Sequence, residues 1–185
     1  MGATTYRGTL GKKEADASLR PNRARPKETD WPSVILEGAL SDTAQRLIVD
    51  GKWWIENSDG AVKMVLLFFV NVKAKTIRIE MWKKNTIENP QQTRGHGEEE
   101  VTGPTRKKTL NITSTVITGA PFKLQFRDIF LRRPKEELGE ANYHITEQDM
   151  REFYNKVWPA SLDVTSPAES CKSALLISRV NFSRS

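Results

Sequence analysis

The chain has 185 residues, a formal net charge of +6 and 37% hydrophobic residues, which is typical of one soluble domain with polar ends. Its longest apolar run, MVLLFFV at 64–70, is too short to cross a bilayer, and the first residues lack the apolar core of a signal peptide. A single cysteine, Cys171, excludes an internal disulfide framework and a cysteine-based zinc site. We therefore expect an intracellular protein of the cytoplasm or nucleus, not secreted and without a membrane partner.

The basic balance of the chain is compatible with nucleic-acid binding but does not establish it. Many soluble domains are mildly basic, and the lysines and arginines here are spread over turns and loops rather than along one helix. Charge by itself leaves both interpretations open.

Two segments near the start of the chain carry acidic residues in strand-like runs. The run GKKEADASLRP at 11–21 is strand-like and carries Glu14 and Asp16. A proline-rich connection follows, and then SVILEGAL at 33–40, in which Glu37 interrupts an apolar strand. Both faces of that strand carry apolar residues, which predicts a central position covered on both sides. A carboxylate placed there needs a partner, a metal ion or a chemical role, because an unpaired buried charge is costly.

The next segments predict a helix followed by two strands. Apolar residues recur at helical spacing from 44 to 57, and Ser58-Asp59-Gly60 ends the helix. VKMVLLFFVNV at 62–72 predicts a fully buried strand, and TIRIEMW at 76–82 a strand with one half-exposed face. One helix between two strands is a crossover of the right length for a parallel pair.

The remainder of the chain predicts an interruption, further strands and a closing helix. Residues 85–110 are polar and aperiodic, which indicates a flexible insertion. NITSTVITG at 111–119 and PFKLQFRDIFL at 121–131 look like strands, and ITEQDMREFYNKVW at 145–158 a helix capped by Thr146 with Asp149 three positions on. Residues 159–185 have the composition of a disordered tail. We expect one α/β domain over 1–158, with a mixed central sheet flanked by helices.

The acidic positions favour a metal site if their two strands are neighbours. Asp16 and Glu37 would then face one another, and two such oxygen ligands suit Mg²⁺, which bridges to phosphate. A metal-dependent phosphodiesterase would follow. The alternative is that Asp16 is solvated and Glu37 pairs with a nearby lysine or arginine.

Several motifs in order resemble one protein family. KEADASLRP, WPSVILEGALSD, GKWWIENSDGAVKMVLLFFV and IRIEMW, followed by FKLQFRDIFLRRP and ITEQDMREFYNKVW, resemble an uncharacterised fungal family over about residues 4–158. That family in turn resembles the Uma-type domains of the PD-(D/E)XK nuclease superfamily. The resemblance implies a restriction-endonuclease-like fold.

The resemblance also implies roles for individual residues. Asp16 takes the place of the first aspartate of the superfamily and Glu37 that of the second acid, so these two residues would be the metal ligands. The lysine expected two positions later is replaced by Ala39. Lys52 on the following helix is the candidate to fill its place, and Lys12 and Lys13 are second choices.

Two hypotheses follow for the function. The first is a Mg²⁺-dependent nuclease that acts on DNA or RNA through catalytic Asp16, Glu37 and Lys52. The second is a catalytically inactive binding or interaction module of the same fold. Ala39 favours the second, as does the start of the chain: only thirteen residues precede Glu14, where superfamily members carry a helix, which predicts a fold truncated at its N-terminus.

Overall fold

The structure, a computed structural model, describes residues 5–8, 11–40, 43–88 and 100–159. A six-stranded sheet in the order β3-β4-β5-β6-β7-β8 forms its centre, and β1–β2 and β9–β10 are separate two-stranded sheets. The strands are β1 Thr5–Gly8, β2 Gly11–Glu14, β3 Ala17–Leu19, β4 Val34–Leu40, β5 Met64–Asn71, β6 Thr76–Glu88, β7 Glu100–Ile112, β8 Ile117–Thr118, β9 Phe122–Leu124 and β10 Tyr143–Ile145. The helices are α1 Ala44–Asn57, α2 Phe126–Phe130 and α3 Glu147–Val157.

The parallel pair predicted from the sequence is confirmed. β4 and β5 pair in parallel from Val34 opposite Met64 to Leu40 opposite Val70, and α1 makes the crossover between them. The other neighbours in the sheet pair antiparallel. The predicted α/β class with a mixed central sheet and flanking helices is therefore confirmed.

The sheet is covered on both faces, as the apolar alternation of β4 predicts. Ile35 and Leu67 point towards α1 and the β1–β2 hairpin, whereas Leu36 and Leu66 point towards α2, α3 and the paired strands β9 and β10. α3 begins at the predicted cap, because Thr146 and Asp149 form a reciprocal capping box. Among the described residues, none of the helices has the length and apolar character needed to span a membrane.

Two sequence-based expectations differ from the structure. Residues 85–88 and 100–110, predicted as part of an unstructured insertion, pair with each other as the outer halves of β6 and β7, while 89–99 lie outside the described residues. β6 pairs with β5 only as far as Trp82, so from Lys83 onwards the two strands extend as a two-stranded ribbon. The predicted tail lies almost wholly outside the described residues.

The predicted strand over 121–131 is only partly correct. It pairs as β9 over three residues and then turns into α2. Phe126, Ile129 and Phe130 stand at positions i, i+3 and i+4, which a helix puts on one face. Ile129 belongs to the core cluster, Phe130 packs against it, and Phe126 is buried against Phe130 and Tyr143.

The approach of α1 to the sheet depends on Gly51. A methyl group at this position would stand 2.9 Å from both terminal carbons of Leu67, which is fully buried, so this side chain would have to shift within the packed core. We expect Gly51→Ala to lower the free energy of unfolding by about 1–3 kcal/mol through overpacking. Helix propensity alone predicts the opposite, a gain of about 1 kcal/mol.

Urea denaturation of a double-mutant cycle checks this prediction. In a Leu67→Val background the space is available, so the same Gly51→Ala change should cost clearly less. Equal costs in both backgrounds, or a stabilised Gly51→Ala single variant, would show that the contact with Leu67 does not limit the packing of α1.

Candidate functional site

Glu37 lies near the middle of β4 on the face covered by α1. Its side chain is 7% exposed, and the indole Nε1 of Trp54 donates a hydrogen bond of 2.7 Å to its Oε1. Trp54 is itself fully buried on α1, so the crossover helix brings the donor over the strand that carries the acid. Among the described residues, the bonded partner of Glu37 is therefore a neutral indole, and no lysine or arginine forms an ion pair with it.

Asp16 lies one residue before β3 and beside Glu37. Ala17 is opposite Leu36, so the same register continued by one position puts Asp16 opposite Glu37. Its Oδ2 accepts a hydrogen bond of 2.9 Å from the backbone N–H of Gly38, the next residue along β4. The side chain of Asp16 thus continues the β3–β4 ladder beyond its last backbone pair and is fixed next to the buried acid.

Lys13 is the cation whose charge lowers the pKa of Glu37. It lies on β2, and its Nζ forms an ion pair of 2.5 Å with Oδ1 of Asp50 on α1. The same ammonium group stands 6.0 Å and 5.9 Å from the ring centroids of Trp53 and Trp54. Cation–π attraction of this kind holds a lysine over an indole face. The β1–β2 hairpin therefore brings one positive charge and α1 a further negative charge to the site.

The arrangement raises the pKa of Glu37 to about 7. Burial is the largest cause because it disfavours the charged carboxylate. The hydrogen bond from Trp54 lowers the pKa, the charge of Asp16 raises it, Lys13 lowers it and Asp50 raises it, in that order of size. At neutral pH the carboxyl group is consequently close to half protonated, which is the range in which a side chain can give or take a proton.

An aromatic cluster closes the site on the side of the hairpin. Tyr6 stacks on Trp31 with ring centroids 5.5 Å apart, and both rings meet Trp54 edge-on at 5.8 and 5.9 Å. Trp53 packs perpendicular to Trp54 at 5.2 Å. Trp54, the indole bonded to Glu37, is thus itself packed against three further aromatic rings.

Lys52 is placed away from the acid pair. Its Nζ lies 5.6 Å from the ring centroid of Trp82 on β6, and its charge is not among the influences on the pKa of Glu37. Of the lysines considered from the sequence, the one whose charge acts on Glu37 is Lys13. Ala39 packs into the apolar cluster beneath α1 and brings no amine to the site.

A second buried acid, Glu80, is fully accounted for by its partners. It lies on β6 and is 1% exposed, although the sequence predicts a half-exposed face there. Arg78 Nε and Arg106 NH1 lie 3.1 and 3.2 Å from its Oε1, and Trp82 Nε1 donates to its Oε2 at 2.9 Å. Two cations and one neutral donor satisfy this carboxylate, so its role is structural.

The acid pair fits a divalent cation only in part. Within the described residues, no three His, Cys, Asp or Glu side chains stand close enough together to form a metal site. A Mg²⁺ ion at Asp16 and Glu37 would therefore have two protein carboxylates at most and would take its other ligands from water and phosphate, as Mg²⁺ commonly does. Glu37 would also have to release its proton first.

Sequence analysis missed three contributors to the site: Trp54 as the donor to Glu37, Asp50 as the partner of Lys13, and Tyr6 as part of the aromatic cluster. The adjacent tryptophans of α1 were a signal, because a buried indole requires an acceptor for its N–H.

Comparison of the chain with family models, with curated proteins and with solved structures finds no match. The site must therefore be interpreted from its own geometry.

The raised pKa of Glu37 predicts a pH-dependent stability that Glu37→Gln removes. Between pH 4.5 and 7 the unfolded chain releases this proton and the folded protein keeps it, so the wild type loses stability as the pH rises through that window. A shift of this size corresponds to about 3 kcal/mol. Glutamine keeps an acceptor for Trp54 without the charge, so the variant should gain about 2–3 kcal/mol over the wild type between pH 5 and pH 8.

Urea denaturation at pH 5, 6, 7 and 8 measures the effect. Glu14→Gln is the matched control, because Glu14 is an exposed glutamate on β2, outside the buried site. Parallel pH profiles for Glu37→Gln and the wild type would mean that Glu37 ionises at its ordinary pH.

Proposed function

We propose that this chain is a nuclease-like protein of restriction-endonuclease type that acts on nucleic acid through a divalent-cation site at Asp16 and Glu37. The observation that carries the proposal is the meeting of a buried carboxyl group, a neighbouring carboxylate and a lysine ammonium at one place on the parallel strand pair. Groups whose pKa is shifted by burial and by neighbouring charges are concentrated at functional sites. The motif resemblance described above supports the same proposal.

In this proposal, individual residues of the site have separate roles. Asp16, fixed by the Gly38 N–H, and Glu37, oriented by Trp54, would hold the cation. Lys13 would supply positive charge beside the phosphate, in the role for which the superfamily uses the lysine that Ala39 replaces. A bound Mg²⁺ would supply Lewis acidity and an activated water. The aromatic cluster would keep bulk water from one side of Glu37.

A catalytically inactive binding or interaction module of the same fold is the second candidate. Two observations favour it: the site has Ala39 where the superfamily has lysine, and Lys13 is already committed to Asp50. In that case Asp16 would serve only to extend the β3–β4 ladder and Glu37 only to accept the indole N–H of Trp54.

Cleavage assays separate the two candidates. Plasmid DNA and a structured RNA are incubated with the wild type in Mg²⁺ or Mn²⁺, beside Asp16→Asn, Glu37→Gln and the control Glu14→Gln. The nuclease proposal expects cation-dependent cleavage that falls at least about a hundredfold in the two site variants and persists in the control. Undiminished cleavage in both site variants would place the activity elsewhere, and no cleavage by the wild type would favour the inactive module.

Cation binding at this site should depend on pH. The cation competes with the proton of Glu37, so the affinity for Mn²⁺ should fall by about tenfold for each pH unit below 7 and level off above it. Isothermal titration between pH 5.5 and 8 measures this, with proton release detected as a dependence of the heat on the buffer. Binding that is independent of pH and survives in Glu37→Gln would exclude Glu37 as a ligand.

A further inference from the structure

A groove lined by several lysines lies away from Glu37. The groove has a volume of about 680 Å³ and is formed by the α1–β5 connection, β6, β7 and the β9–α2 segment. Six lysines line it: Lys63, Lys83, Lys84, Lys107, Lys108 and Lys123. The sole acid among the described lining residues is Asp128, which is neutralised by an ion pair of 2.6 Å with Lys83. This surface is called the lysine groove below.

Lys63 donates to the backbone oxygen of Gly60, and the other five lysines of the groove fall into two groups. Lys83 is bound to Asp128, and Lys108 donates to the backbone oxygen of Pro121, so these two also hold the β6–β7 ribbon against the β9–α2 segment. Lys84, Lys107 and Lys123 are exposed and make no ion pair within the described residues. Three ammonium groups from three different strands are thus directed to one concave surface without an internal partner.

The spacing of the two sites makes the groove independent of the acid pair. Lys63 stands four residues before Leu67, the register partner of Glu37 on β5. At about 3.3 Å per residue this is about 13 Å along the strand. The groove also lies where β6 and β7 leave the sheet as a two-stranded ribbon, from Lys83 opposite Thr105 onwards.

From this charge and shape we infer that the lysine groove binds the phosphodiester backbone of duplex nucleic acid. Lysine ammonium groups bind phosphates as point charges, and several such contacts dominate non-specific affinity for a duplex. The described lining residues include no aromatic side chain, so the stacking platform on which single strands are bound is missing there. The inference shares the class of partner with the proposed function but does not rest on chemistry at Glu37.

Fluorescence anisotropy with a labelled 20-base-pair duplex, in EDTA, tests the inference. The variant Lys84→Gln/Lys107→Gln/Lys123→Gln removes three exposed charges and no side-chain hydrogen bond found among the described residues. The matched control is Lys73→Gln/Lys75→Gln/Lys156→Gln, which removes three exposed lysines outside the groove and lowers the net charge equally. A triple Lys→Arg variant of the groove keeps the charge and reports whether folding survives substitution.

The groove variant should bind at least about tenfold more weakly than the wild type at 100 mM salt, with a salt slope shallower by about 2 to 3, because each lost phosphate contact removes about 0.9. The control and the arginine variant should bind within about threefold of the wild type. Equal weakening in the groove and control variants would overturn the inference, because net charge alone would then explain binding.

Three further arms identify the ligand. DNA and RNA duplexes distinguish the two sources of the same backbone chemistry, and binding of either supports the inference. Tighter binding to a single strand of equal length, or to phosphatidylserine vesicles at equal phosphate concentration, overturns it. EDTA keeps any divalent cation out of the binding measurement, so a loss of cleavage without a loss of duplex binding would concern the acid pair alone.

Discussion

The parallel pairing of β4 with β5, closed by α1, is the constraint on which the rest of the structure depends. A crossover helix must lie directly on the two strands that it joins, and Gly51 lets α1 approach Leu67 closely. The same contact places Trp54 over Glu37 and removes the acid from water. The unusual protonation of Glu37 is therefore a consequence of how the core is built, and core packing and site chemistry share one element.

The N-terminal hairpin completes what α1 begins. It adds Tyr6 to the aromatic cluster and Lys13 to the charges around Glu37, and the Lys13–Asp50 ion pair ties it to α1. Glu80 shows the other way to bury a carboxylate in this sheet, with two arginines and an indole as partners. The comparison of the two acids is informative, because Glu37 is bonded to a neutral indole and burial raises its pKa to about 7.

The acid pair and the lysine groove are separate features with complementary charge. The groove collects its lysines from the α1–β5 connection, two strands of the ribbon and β9, so it exists only where those segments meet. A duplex backbone held there would run past the end of the sheet, while any chemistry would require the buried acid near its middle. Binding at the lysine groove and chemistry at the acid pair can therefore be lost independently of each other, as in a binding module that has lost its activity.

Sequence periodicity by itself determined the central elements. The apolar runs of β4 and β5, the helical spacing of α1 and the Thr146–Asp149 cap are local patterns, and each was correct because burial on both faces or on one stripe leaves a direct mark on the residues. The adjacency of Asp16 and Glu37 followed from strand order. The pairing of β6 with β7 was not predicted, because pairing between strands across a connection is non-local and leaves little signal in the local sequence. The partners of Glu37, the commitment of Lys13 to Asp50 and the lysine groove were decided only by tertiary structure, because desolvation and summed charge depend on residues far apart in the chain.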